Sequence, residues 1–177
     1  MSGTVKVFNS KLLTTMGKVA IFIFVTAIII FVMCSCSALR PNNIWEKDDL
    51  SLFEYIFEKL SDKSDFGSDL SKLNDKEKVF MSMALLAQEV NNGGFDQYFL
   101  NIGGRYNDIL VSSAEAIKAY DIAEICKKAL AVYAEHSEQD DIIEDLNEYD
   151  NAFYKSKDAI CELCVKYAKE NKEFFKL

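Results

Sequence analysis

After Pro41 the chain contains no further proline as far as Leu177. Proline removes a backbone donor and fixes φ, so its absence leaves long helices uninterrupted. Ala, Leu, Glu and Lys are frequent over the same region, and all four favour helix. No stretch alternates apolar and polar residues as a half-buried strand does, and no repeat or low-complexity segment occurs. Half of the 177 residues are hydrophobic, enough to build the core of one domain of ordinary size. The reading is all-α: a single compact multi-helix domain of about five to seven helices.

The N-terminus stands apart. Residues 19–33, VAIFIFVTAIIIFVM, hold no charge and no breaker, and uncharged CSCSAL follows to Leu39. Taken to Leu39 the run is 21 residues, the length of a bilayer-spanning helix. Taken to Met33 it is 15 residues, the length of a signal-peptide hydrophobic region. Lys6, Lys11 and Lys18 precede it and Arg40 follows alone, which favours the N-terminus inside and residues 40–177 on the extracytoplasmic side. VMCSC resembles the end of a bacterial lipoprotein signal, with Ser35 before a lipidated Cys36. Two anchors are therefore expected alternatives: a lipid on Cys36 or an uncleaved single span. A buried soluble helix is the weaker reading, because nothing downstream looks like its packing partner.

Charge bounds the partners. Setting aside the three N-terminal lysines leaves 17 bases against all 28 acids in residues 40–177, a net charge of −11. Phosphate binding needs a basic face, so direct contact with nucleic acid is excluded as an expectation. A basic protein partner suits such a domain.

Residues 40–49 read as a short stalk in which Trp45 packs on the domain. Asp48 or Asp49 caps a helix through residues 50–60, with Leu52, Phe53, Ile56, Phe57 and Leu60 at helical spacing. Residues 61–72 read as a loop. Asn74, with Glu77 three positions on, forms a capping box for the next helix, whose stripe is Val79, Met83, Leu86 and Val90. A further helix at 108–120 is expected to turn Ile109, Ser113, Ala116, Ile117 and Tyr120 inward, and another runs through Ile122, Cys126, Ala129 and Tyr133. Residues 135–150 carry eight acids and no Lys or Arg, yet Ile142, Ile143, Leu146 and Tyr149 keep an apolar side. One closing helix is expected over residues 151–170.

Residues 91–104, NNGGFDQYFLNIGG, concentrate four of the seven glycines. They fail as a phosphate loop, which needs Lys after the last Gly, where Arg105 stands. They fail as a dinucleotide fingerprint, which needs a preceding strand. Asn and Gly tolerate the left-handed conformation that ends helices, so the stretch reads as a helix stop, a short aromatic helix and a second stop.

The surrounding LNDKEKVFMSMALLAQEVNNGGFDQYFLNIGG resembles the signature of a bacterial helical family of unknown function that includes a DNA-mimic protein from Neisseria. The matching positions are Glu89, Asn92, Gly93, Gly94, Phe95, Gln97, Tyr98, Phe99, Asn101 and Gly104. LNEYDNAFYKSKDAICELCVKYAKEN is similar to the family's closing helix, with Asp150 and Phe153 as landmarks. The sequence departs from the family at Tyr120 and Asp121, where a Gly-Ala pair is expected. The resemblance implies an all-helical fold. It also implies that acidic side chains can stand in for phosphates toward a DNA-binding regulator. Glu138, Asp140, Asp141, Glu144, Asp145 and Glu148 are the candidate acidic face, with a plain solvated helix face as the alternative. An extracytoplasmic domain would not meet a cytoplasmic repressor.

Catalytic patterns are thin. His136 is the lone histidine, beside Glu135, and neither a nucleophile elbow nor a paired-histidine zinc motif occurs. Cys161 and Cys164 form C-x-x-C inside a helix rather than at its N-terminus, where the dipole would activate a thiol. Only Cys126 and His136 could complete a zinc site. Buried free cysteines are the favoured reading, with a bridge from Cys126 to Cys161 or Cys164 left open. No cofactor, metal or catalytic residue is assigned. The expectation is a membrane-tethered, non-enzymatic, acidic protein-binding module, with an inhibitor or immunity-type protein as one variant. The alternatives are a DNA mimic proper, and a small-ligand binder or enzyme built on Glu89, Asn92, Gln97 and Asn101.

Overall fold

The computed structural model describes residues 43–102, 104–136 and 144–177. The apolar segment 1–39 with Cys36, Gly103, and Glu138, Asp140 and Asp141 of the acidic run lie outside them. No helix among the described residues is long and apolar enough to cross a membrane. Residues from Ile44 to Leu177 form one compact unit.

Six α-helices and no strand occur among the described residues: α1 Asp49–Lys63, α2 Asp75–Ile102, α3 Asn107–Ala116, α4 Tyr120–His136, α5 Asn147–Lys155 and α6 Ile160–Glu170. Helix α2 is the hub and touches α1, α3, α5 and α6. Its residues from Phe80 to Ala87 are all buried, so its apolar character runs all the way round rather than along the one stripe read from the sequence. Phe80, Met81, Met83 and Leu86 are fully buried, each contributing roughly 1.5–3 kcal/mol by leaving water.

Local signals set the helix starts. The Asp48 carboxylate accepts from Ser51 N–H and begins α1, which extends past Leu60 to Lys63. Asn74 Oδ1 accepts from Glu77 N–H while Glu77 Oε2 accepts from Asn74 N–H, a complete capping box. Trp45 meets Phe175 edge to face, and Phe175 meets Phe80, so both ends of the compact unit close on the hub.

Three expectations are corrected. The closing helix is two: Ser156 is extended, and α5 and α6 are separated by residues 156–159. Neither Gly nor Pro marks this break. Ser156 Oγ instead accepts from Asp158 N–H, and Asp158 Oδ2 accepts from Ile122 N–H, capping α4 from a distant part of the chain. Helix α3 also ends earlier than expected. Lys118 takes φ +68°, Ala119 N–H donates to Ala114 C=O, and Lys118 N–H donates to Glu115 C=O, a left-handed stop without glycine. Ser113 and Ile117 are buried as expected, but Ala116 and Tyr120 face outward, and Leu110 and Ala114 join the core. Cys126 and Cys164 are buried free thiols as expected, but Cys161 is exposed.

Candidate functional site

The glycine-rich stretch divides α2 into two arms. Gly93 is non-helical, and Gly94 sits at φ +80° with non-helical ψ, a conformation open chiefly to glycine. Helix α5 crosses this break and serves both arms. Tyr154 Oη donates to the Val90 carbonyl at 2.6 Å, closing the first arm. Asp150 Oδ1 accepts from Phe95 N–H at 2.7 Å, opening the second. A Cβ on Gly94 would run into the Asp150 carboxylate. Burial holds Asp150 above the usual carboxylate range, the Phe95 N–H works against this, and Asp96 adds to it.

The motif aromatics anchor the second arm. Phe95 meets Phe153 edge to face, and Phe99 stacks on Tyr133 at 4.1 Å between ring centres. Tyr98 is fully buried, and its hydroxyl, with no hydrogen-bond partner among the described residues, is pushed far up by burial. Gly104, at φ +76°, ends the arm as expected.

Of the four polar motif residues, the structure brings two together. Asn101 Nδ2 donates to Glu89 Oε2 at 2.7 Å across the break. Asn92 is exposed, and Gln97 lies over Gly93, where a Cβ would come within 2.9 Å of it. Glu89 and Asn101 line a pocket of about 480 Å³ between α1 and the two arms of α2. Its apolar wall includes Phe57, Phe66, Leu85 and Ile102. Glu58 and Asp62 add carboxylates, and Arg105 adds one guanidinium, which donates to the Asn101 carbonyl at 3.2 Å. A second pocket of about 310 Å³ shares Phe57 and Gln88 with the first and reaches Cys161.

Sequence reasoning missed Phe57, Asp62, Phe66 and Arg105 as pocket residues. Phe66 did carry a signal: a large aromatic flanked by Asp65 and Gly67 in a turn. Asp65, Phe66 and Gly67 all have positive φ, and the Phe66 ring is 75% exposed. Ser64 Oγ accepts from Gly67 N–H, and Phe66 N–H donates to Ser61 C=O, so this tight loop is held from α1.

Of the candidate acidic face, Asp145 and Glu148 are exposed, and no ion pair to either occurs among the described residues. Glu144 opens the 3-10 turn Glu144–Leu146 ahead of α5, and Leu146 is buried beneath it. No cluster of metal-binding side chains occurs among the described residues.

Residues 71–171 match a family model described as DMP19-like protein. The match takes in both motif stretches and covers more than half of the chain. No curated protein matches the chain.

Proposed function

This chain belongs to the DMP19-like family, and we propose that it is a non-enzymatic module that binds a protein partner by offering carboxylates to a basic surface. The observation that carries the reading is the acidic stretch entering α5. Asp145 and Glu148 are exposed there without a neutralising lysine or arginine among the described residues. The net charge of −11 over residues 40–177 extends the same field. Complementary charge of this kind speeds encounter and selects partners of opposite sign.

Family membership favours one version, a mimic of DNA that occupies a DNA-binding protein. A tether through residues 1–39, the anchor expected from the sequence, would favour another, a module that sequesters a basic partner outside the membrane. The sidedness of residues 40–177 separates the two, and protease accessibility on intact cells reads it. Capture with the full chain and with its Asp140, Asp141, Glu144 and Asp145→Lys variant tests the shared premise. The wild type is expected to retain a basic partner that the variant loses, and unchanged recovery sinks the acidic-face reading. Duplex DNA added as a competitor releases the partner only in the mimic version.

A further inference from the structure

We propose that the pocket at the break of α2 receives one lysine or arginine side chain of the protein partner, with its charge on Glu89 and its methylene stem on the apolar wall. The proposal rests on the protein-binding reading and names the point of insertion.

Two glutamates are buried among the described residues, and the fold treats them differently. Glu77 is fully buried and receives Lys63 Nζ at 2.7 Å together with the Asn74 N–H. Glu89 is 8% exposed and accepts only from the neutral Asn101 amide, with no lysine or arginine paired to it among the described residues. A buried carboxylate without a cation is costly, and the usual remedy is a paired positive charge. Arg105 lines the same pocket but donates to the Asn101 carbonyl instead.

The walls fit the rest of such a side chain. Lysine and arginine carry apolar stems beneath a charged head. Phe57, Leu85 and Ile102 offer the stem an apolar surface, and Glu58 and Asp62 repeat the negative charge of Glu89. The volume of about 480 Å³ lies toward the small end of ligand sites. It leaves room for a neighbouring apolar residue of the partner against the exposed Phe66 ring. A free organic cation shares the head-group chemistry but would leave that ring uncovered.

The test is nuclear magnetic resonance titration of the full chain, kept in solution with a mild detergent. The probes are acetyl-Leu-Arg-Leu-amide, its citrulline counterpart of the same shape without charge, and free butylguanidinium. The arginine peptide is expected to shift the Asn101 side-chain amide and the backbone of residues 85–89 and 101–105. It should bind at least tenfold more tightly than either other probe. Glu89→Gln, which keeps an acceptor for Asn101, is expected to remove that tenfold preference. Asp62→Asn at the rim should weaken the peptide about threefold, and it serves where Glu89→Gln lowers the melting temperature. Equal binding of the arginine and citrulline peptides, or shifts confined elsewhere, overturns the proposal. Equal binding of butylguanidinium overturns the assignment to a protein side chain. If the peptide is silent while the acidic-face variant still loses its partner, the pocket inference falls and the protein-binding reading stands.

Discussion

Asp150 starts a helix to which it does not belong. Its carboxylate accepts the Phe95 N–H at 2.7 Å, so α5 caps the second arm of α2 while Tyr154, one turn on, closes the first. The break at Gly93 and Gly94 is therefore a joint held from outside, and the residues on either side of it are placed by α5. This fixes where Glu89 and Asn101 meet.

Replacing Asp150 by Ala removes a helix cap and should cost about 1 kcal/mol. Asp150→Asn keeps the acceptor and should be nearly neutral at pH 7. Gly94→Ala should cost about 2–3 kcal/mol, from the positive φ and from the collision with Asp150. In the double variant Gly94→Ala, Asp150→Ala the collision disappears but the φ penalty stays, so the two costs should sum to more than is measured. The pH dependence is also fixed in sign. Burial raises the Asp150 carboxyl, so the native state holds its proton more tightly than the unfolded chain does. Its contribution to stability is complete below the ordinary carboxylate value and fades as pH rises through the raised one. The melting temperature of wild type relative to Asp150→Asn should rise on acidification from pH 7 into that window.

Lys118 occupies a left-handed position at φ +68° in a stop that ends α3. A residue with a Cβ there costs about 1–2 kcal/mol, and glycine gives back about 0.4–1 kcal/mol as unfolded-state entropy. Lys118→Gly should therefore stabilise the fold by roughly 0.5–1 kcal/mol. Urea unfolding measures it, and a loss of stability would show that the lysine side chain makes a contact worth more than the strain.

What the sequence made legible was local. Asp48, and Asn74 with Glu77, act within three residues, and Gly94 and Gly104 declare their conformation by lacking a side chain. The break at residues 156–159 was invisible because its reason is distant: Asp158 leaves the helix to cap Ile122. The end of α3 departs from the sequence reading for a related cause, since a lysine takes the left-handed stop that glycine usually signals, while Ser113 and Ile117 are buried as the spacing predicts. The pocket was half legible. Glu89 and Asn101 stood out as polar residues beside a helix break, but Phe57, Asp62 and Phe66 reach it from another helix and its loop. No spacing along one segment encodes such a convergence.

Lys63 and Glu77 should respond unequally to loss of the partner. Both Glu77 oxygens lie 2.7 Å from Lys63 Nζ, and Glu77 is fully buried while the Lys63 side chain is 35% exposed. Lys63→Met leaves a carboxylate in the core with the Asn74 N–H as its remaining donor and should cost about 3–5 kcal/mol. Glu77→Gln leaves an ammonium that can turn to water, and it keeps the capping acceptor, so about 1–2 kcal/mol is expected. Equal costs by urea unfolding would mean that the two charges are equally shielded, against the burial seen here.

The cysteines give a chemical readout of the same packing. Only the thiolate attacks an electrophile, so reactivity follows exposure and acidity together. Burial pushes the Cys126 thiol up to about 12, and it pushes Cys164 up as well, with nearby Cys161 adding to the effect. Cys161 is exposed but also raised, by burial first and by Glu162 in addition. Iodoacetamide on the native full chain, followed by peptide mass mapping, should therefore modify Cys161 slowly near neutral pH. The rate should keep climbing with pH beyond the ordinary thiol range. Cys126 and Cys164 should stay unmodified until denaturant unfolds the domain, after which all three react alike. Modification of Cys126 at the rate of Cys161 under native conditions would show that α4 opens locally, and it would refute the full burial of Cys126. A mass deficit of two hydrogens joining Cys126 to either partner would refute the free-thiol arrangement directly.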